Sequence, residues 1–201
     1  MSSLDKSTLI QKFQMRPPQP YPNDVLRRVA HLRNQPLRKA AVLIGFVERP
    51  QGLQVLFTKR AKHLKHHPGQ VCFPGGRYEE SDASLVDTAL RETFEEVGIA
   101  PKLVDVFGAM PQLTTISRFS VTPYLAFINS DYQPDIDVNE VAEIFEVPIE
   151  VILDPYHLHS SAFNVGGQLH RIFGINYQGH FIWGVTAQII HALQRQLGHE
   201  L

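Results

Sequence analysis

The chain has 201 residues, 43% hydrophobic and 19% charged, which fits one ordinary globular domain or two very small ones. A net charge of −1 supplies no global attraction to nucleic acid, and the longest apolar run, Ala40–Val47, is strand-sized, so neither nucleic acid nor a bilayer is an expected partner. The N-terminal stretch MSSLDKSTLIQKFQ has no apolar signal core, and Cys72 is the only cysteine, so no internal disulfide forms and a cytoplasmic location is expected.

In chain order, residues 1–15 read as a short helix with Leu9, Phe13 and Met15 on one side. RPPQPYPND (16–24) is too rich in proline to be regular, and a second short helix is expected over Asp24–Leu32. Residues 1–37 are therefore taken as a helical extension with a proline-rich tether, ahead of a main domain over 38–201. KAAVLIGFVE (39–48) and LQVLFTKR (53–60) are strands joined by the Pro50-Gln51-Gly52 turn. A basic loop, 61–70, leads to a short strand at 71–73 and then to Pro74-Gly75-Gly76. The following helix is expected to be capped by Ser81 or Asp82 and stopped by Gly98.

Strands are expected near Leu103–Met110 and Ser120–Ile128. A helical stretch is expected over Glu140–Phe145, and a further one opened by Pro148 over 148–154. A hairpin-like pair falls at Gln168–Ile175 and Gly179–Ile182, and a last helix at Gly184–Leu197. Strands that follow one another without helical crossovers imply a mixed, partly antiparallel sheet in an α/β fold.

The chemistry concentrates in GGRYEESDASLVDTALRETFEEVGI (75–99). At 100° per residue, Val86, Ala89, Leu90, Thr93 and Val97 share one side of the helix. Glu92, Glu95 and Glu96 gather in an arc beside it, with Glu92 and Glu96 as an i,i+4 pair. Carboxylates this close repel one another and, if half-buried, need compensation. Arg91 is four residues before Glu95 and supplies part of it. Mg²⁺ or Mn²⁺, which prefer hard oxygen ligands and bridge to phosphates, would supply the rest. The plainer reading is a solvated acidic helix face.

This segment resembles the box of the Nudix hydrolases, G-x5-E-x7-R-E-U-x-E-E-x-G-U with U apolar. Arg91-Glu92-Thr93-Phe94-Glu95-Glu96-Val97-Gly98-Ile99 matches its second half apart from Thr93. In the first half, Asp82 stands where the box has Glu and is one residue further from Arg91, so Asp82 is read as a helix cap. Upstream, Leu56-Phe57-Thr58-Lys59-Arg60-Ala61, Lys65, Gly69, Val71 and Phe73-Pro74-Gly75-Gly76 are similar to a motif of the coenzyme A pyrophosphatase subgroup, L-L-T-x-R-S-x3-R-x3-G-x-V-x-F-P-G-G. Val121-Thr122-Pro123 and Trp183-Gly184-Val185-Thr186-Ala187 extend that likeness.

The resemblance implies an α/β/α sandwich and a metal-dependent cut of a pyrophosphate bond. It implies that Glu92 and Glu96, with Glu95, hold Mg²⁺ or Mn²⁺, and that Arg91 orients them. A carboxylate beyond the box assists as ligand or base, and Glu140, of the set Glu140, Glu143 and Glu146, is the expected one. Arg60, Lys59 and Lys65, with Gly75 and Gly76, are the expected substrate contacts, Arg60 offering a fork and the lysines point charges. The substrate implied is coenzyme A or a derivative of it. The products would be 3′,5′-ADP and 4′-phosphopantetheine or its acyl form. The alternatives are another diphosphate such as NADH, ADP-ribose or a nucleoside triphosphate, or a non-catalytic nucleotide-binding module. Zinc at His63, His66, His67, His157 or His159 is not expected, because the Cys/His spacing such sites use is missing. Phe181 and Trp183 read as core residues, and the Val185, Ile189, Leu193 and Leu197 stripe suits either a monomer's core or a homodimer.

Overall fold

The computed structural model of the protein describes residues 4–165 and 168–199. Asp5 caps the first helix, α1 (Lys6–Gln14), by accepting from the Thr8 amide. The expected helix at 24–32 is split into α2 (Asn23–Arg28) and a 3₁₀ turn at Ala30–Leu32. The strands are β1 (Arg38–Arg49), β2 (Gly52–Arg60), β3 (Val71–Cys72), β4 (Gly75–Arg77), β5 (Val104–Ala109), β6 (Leu113–Thr114), β7 (Phe119–Ile128), β8 (Val141–Pro148), β9 (His159–Val165), β10 (Gln168–Tyr177) and β11 (His180–Trp183). Helix α3 (Leu85–Val97) lies between β4 and β5, α4 (Ile149–Leu153) follows β8, and α5 (Val185–Leu197) ends the fold.

The main sheet runs β3-β2-β1-β7-β5, with β4 also on β1, β6 on β7 and β8 on β2. Strands β1 and β7 are parallel and the other pairs antiparallel, which is the mixed sheet expected. The period of two along β1 sorts its side chains onto two faces. Ala41, Leu43 and Val47 pack with Ala89 and Val97 of α3. Ile44 and Phe46 face the other way, into a larger core with Ile152 of α4, Ile189 and Leu193 of α5, and Ile175 and Ile182 of the three-stranded sheet β11-β10-β9. Helices therefore cover both faces of the sheet, an α/β/α sandwich. Leu9, Tyr21 and Val25 belong to the same core, so the segment ahead of β1 is packed onto the domain. Of the stripe on α5, Ile189, Leu193 and Leu197 are buried in this core.

Two expectations are corrected. Residues 141–148 form a strand, not a helix, with Phe145 opposite Phe57 of β2. The acidic spacing suggested a helical face, but Val141, Ile144, Phe145 and Val147 are β-branched or aromatic residues that suit a strand, and the segment pairs with β2. Helix α3 is capped by Ser84, not by Ser81 or Asp82: the Ser84 side chain accepts from the Asp87 amide at 3.3 Å and donates to the Asp87 carboxylate at 2.7 Å. Gly98, at φ +72°, ends the helix as expected. No helix among the described residues is long and apolar enough to cross a membrane.

Candidate active site

The site begins with two consecutive glycines beside α3. Gly75 has φ +147° and lies so close to Ala41 and Val42 of β1 that a Cβ there would strike their backbone. This close approach delivers the Gly75 amide to Glu96, whose Oε2 accepts from it at 3.1 Å. A Cβ on Gly76 would run into the Glu92 carboxylate. The two glycines thus let backbone approach the two carboxylates of the i,i+4 pair.

Glu96 is only 3% exposed. Burial pushes its carboxyl up to about 8; the Gly75 amide opposes the shift, Glu92 and Glu140 add to it, and Arg60 opposes it again. Glu92 is partly buried and also raised, first by burial, against the pull of Arg91. Glu95 is more exposed and accepts from Arg91 Nη1 at 2.8 Å. The same Arg91 nitrogen is 3.1 Å from Glu92 Oε1.

Arg91 is held from behind. Its Nε donates to Asp82 Oδ1 at 2.8 Å, and Nη2 donates to Asp82 Oδ2 at 3.0 Å and to the Arg77 carbonyl at 3.1 Å. Asp82 is buried and also accepts from Thr88 Oγ1 at 2.8 Å and the Glu79 amide at 3.0 Å. The Arg91 guanidinium, with these donors, holds the Asp82 carboxyl far below the usual carboxylate range. Asp82 is therefore a fixed partner of Arg91, not a helix cap. The extra residue before Arg91 made that geometry hard to read from spacing.

The segment 129–140 brings Glu140 to the site. The Asp135 amide donates to the Val97 carbonyl at 3.0 Å and the Asp137 amide to the Glu96 carbonyl at 3.1 Å, which ties the segment to the last turn of α3. The Glu140 carbonyl accepts from the Ala61 amide at 2.8 Å, just past the end of β2. Glu140 is exposed and acts electrostatically on both Glu92 and Glu96.

The expected cations divide. Arg60 acts electrostatically on Glu96 and lines the adjoining cavity. Lys59 instead pairs with Glu143 at 3.7 Å, a carboxylate that also meets His180 Nε2 at 2.9 Å. Lys65 is exposed on the loop after β2. Glu146 is also committed elsewhere, to Arg49 and to the Tyr132 hydroxyl. His63 meets the Asn139 carbonyl and His157 the Asp154 carboxylate.

Sequence reading missed the cavity of about 660 Å³ that shares Gly75, Gly76 and Arg60 with the carboxylate cluster. It is assembled from α2, β3, β4, the β6–β7 turn and the start of α5, segments too far apart in sequence for periodicity to relate them. Trp183, 40% exposed, lines it, and Phe181 is 56% exposed, so neither is the core residue expected.

Among the described residues no three carboxylate, imidazole or thiol groups already stand in a closed coordination set. The donor set nonetheless fits a hard divalent ion. Glu92 and Glu96 are neighbours, partly or wholly buried, with carboxyls raised by that burial despite Arg91 and Arg60, and Glu95 stands one residue away on the same helix, held by Arg91. Such an ion would offset the burial that raises both carboxyls.

Comparisons with known proteins bear on the family and the fold. The family description "NUDIX domain" matches residues 37–163. A protein of Enterobacter sp. (strain 638) named Uncharacterized Nudix hydrolase NudL is 41% identical over 190 residues, covering 94% of this chain and 93% of its own. A protein of the same name from Cronobacter sakazakii (strain ATCC BAA-894) is 43% identical over 164 residues, covering 81% and 84%. Among solved structures, a MutT/nudix family protein from Enterococcus faecalis superposes with a TM-score of 0.50 at 13% identity, over 98% of this chain and 75% of that one, a likeness of fold alone.

Proposed function

The chain belongs to the Nudix family and is a pyrophosphohydrolase, and from that premise we propose that its substrate is coenzyme A or a thioester of it, cut at the diphosphate to 3′,5′-ADP and 4′-phosphopantetheine or the acyl form. The observation that carries the reading is the junction at Gly75–Gly76, where the buried carboxylate cluster of α3 meets Arg60 and a cavity roomy enough for a substrate arm. The upstream likeness to coenzyme A pyrophosphatases, Leu56 to Gly76, supplies the substrate class.

Glu92 and Glu96, assisted by Glu95, are the residues that would hold Mg²⁺ or Mn²⁺. Such an ion, held by these residues, would supply charge neutralisation for the diphosphate and Lewis acidity toward water. Arg91, braced by Asp82, keeps Glu92 and Glu95 in place. Arg60 grips a phosphate with its fork, while Lys59 and Lys65 add positive potential. Gly75 and Gly76 let backbone amides lie beside the reacting group without a side chain in the way. Glu140, exposed and next to the cluster, takes the proton of the attacking water. The water oxygen bonds to one phosphorus, the P–O–P bond breaks, and the leaving phosphate keeps the electron pair. Positioning and charge stabilisation carry the rate.

The test is kcat/KM for coenzyme A, NADH, ADP-ribose and ATP, each with Mg²⁺ and with Mn²⁺. Coenzyme A is expected to lead the panel. A lead of tenfold or more for any other substrate would refute the assignment while leaving the hydrolase intact.

A further inference from the structure

The last two turns of α5 gather basic side chains beside β10. His191 and Arg195 stand four residues apart and share a helix face with Gln194. The stop at Gly198, φ +77°, turns the chain back: the His199 amide donates to the Gln194 carbonyl at 2.8 Å, and the Gly198 amide to the Arg195 carbonyl at 3.1 Å. Arg171 and Phe173, two apart on β10, fall on the same side of that strand. These residues line a second cavity of about 240 Å³, which shares no lining residue with the cavity at Gly75–Gly76.

The second cavity is rich in positive groups. Arg171, His191, Arg195 and His199 all line it, and among the described residues no Asp or Glu does. Asp154, beside the lining residue Pro155, turns its carboxylate to the Tyr156 amide and to His157. Lys12 and Arg16 add to the potential: burial first, and then these two charges, push the His199 imidazole down. The frame is fixed. Gln194, 1% exposed, donates to the Ile152 carbonyl at 2.8 Å, Arg195 Nη1 donates to the Pro20 carbonyl at 2.9 Å, and His191 stacks on the buried Phe173 ring at 4.3 Å. A helix C-terminus carries about half a negative charge and favours cations, which accounts for Arg195 and His199. It does not account for Arg171, which comes from a strand.

We propose that this second cavity binds a compact phosphate-class anion, either inorganic phosphate or the end of a phosphomonoester, at a site separate from the active site. Two guanidiniums supply fixed charge and forked donors, and two imidazoles supply further N–H donors around the same space. Basic groups drawn together repel one another, and an anion among them removes that cost. The volume is below the roughly 300 Å³ at which pockets for drug-sized ligands begin, so the ligand is small. The inference does not depend on the coenzyme A reading.

The experiment is calorimetric titration of the full chain with inorganic phosphate, and separately with AMP, in EDTA at low salt. It is run on the wild type, Arg171→Ala, His199→Ala and Arg60→Gln. Arg171 is exposed and the fold uses its carbonyl, which accepts from Arg28, so its variant folds even if His199→Ala does not. Millimolar or tighter binding of phosphate, weakened tenfold or more by Arg171→Ala and unchanged by Arg60→Gln, supports the site. AMP binding as well as phosphate identifies the end of an ester as what is held; phosphate binding alone identifies the free ion; either result sustains the proposal. Binding weaker than millimolar for both probes overturns it. So does binding that Arg171→Ala leaves unchanged, or that Arg60→Gln abolishes, since the anion then sits elsewhere or in the active site.

Discussion

Asp82 and Arg91 meet through two parallel hydrogen bonds, Nε to Oδ1 at 2.8 Å and Nη2 to Oδ2 at 3.0 Å, with the carboxylate buried. The guanidinium so fixed still has Nη1 to offer Glu92 and Glu95. The order of the acidic cluster therefore depends on a carboxylate nine positions earlier.

Asp82→Asn is expected to destabilise the protein by about 2 kcal/mol at pH 7, since hydrogen bonds to charged groups are worth about 1.5–3 kcal/mol and Arg91 is partly screened by solvent. The sign with pH follows from the depressed carboxyl. Its stabilisation is fully present above the ordinary value near 3.8 and is lost as pH falls below it. Urea denaturation of both proteins should show a gap at pH 7 that closes steadily below pH 4. A gap independent of pH would remove the ion pair from the explanation.

Gly75 and Gly76 should respond differently to alanine. At Gly75 the new Cβ meets β1 backbone at a positive φ, so Gly75→Ala is expected to cost 3 kcal/mol or more, about the sum of a strained φ and a forced backbone shift. At Gly76 the Cβ meets only the end of the Glu92 side chain, which can rotate away. Gly76→Ala should therefore lower kcat at least tenfold with a fall in Tm of only a few degrees. Thermal melts and steady-state kinetics on both variants check the contrast, and equal loss of stability would contradict it.

Glu96→Gln is expected to reduce turnover by about a thousandfold or more while the fold survives. A second readout is independent of activity. The raised Glu96 carboxyl binds a proton more tightly folded than unfolded, so in chelator its contribution to stability declines as pH rises from about 4.5 through about 8. The glutamine variant lacks that decline and should be the more stable of the two at pH 8 in EDTA. Denaturation midpoints at pH 5 and pH 8 decide the matter; a wild type that is the more stable at pH 8 in EDTA would mean that Glu96 is already compensated without metal.

Glu140→Gln tests the proton acceptor. Glu140 is exposed, so stability should be unchanged within about 0.5 kcal/mol. Loss of a general base is expected to lower kcat by about 10²–10⁴. Rates at saturating substrate and metal measure this directly, and a change confined to metal affinity would recast Glu140 as a ligand.

What the sequence disclosed here was local. The wheel over 85–97 put Glu92, Glu95 and Glu96 together because α3 is regular, and Gly98 marked its end. The first two strands were legible from their apolar runs, 39–48 and 53–60, and the Pro50-Gln51-Gly52 turn between them. The failures were of two kinds. Glu140, Glu143 and Glu146 looked like one helical face, but tertiary pairing with β2 made 141–148 a strand and sent Glu143 to Lys59 and Glu146 to Arg49. Asp82 looked like a cap because Ser84, two residues on, was overlooked as the start of a Ser-x-x-Asp box, and the cavity wall at Val29, Ile116 and Trp183 exists only once distant segments pack.

The most direct measurement is to incubate the pure protein with coenzyme A, with and without Mg²⁺ or Mn²⁺, and identify products by mass spectrometry, with Glu96→Gln alongside. The account predicts 3′,5′-ADP and 4′-phosphopantetheine from the wild type, only when metal is present, and neither from the variant. Intact coenzyme A under conditions where another diphosphate is cut, or products formed by the variant at the wild-type rate, would contradict it.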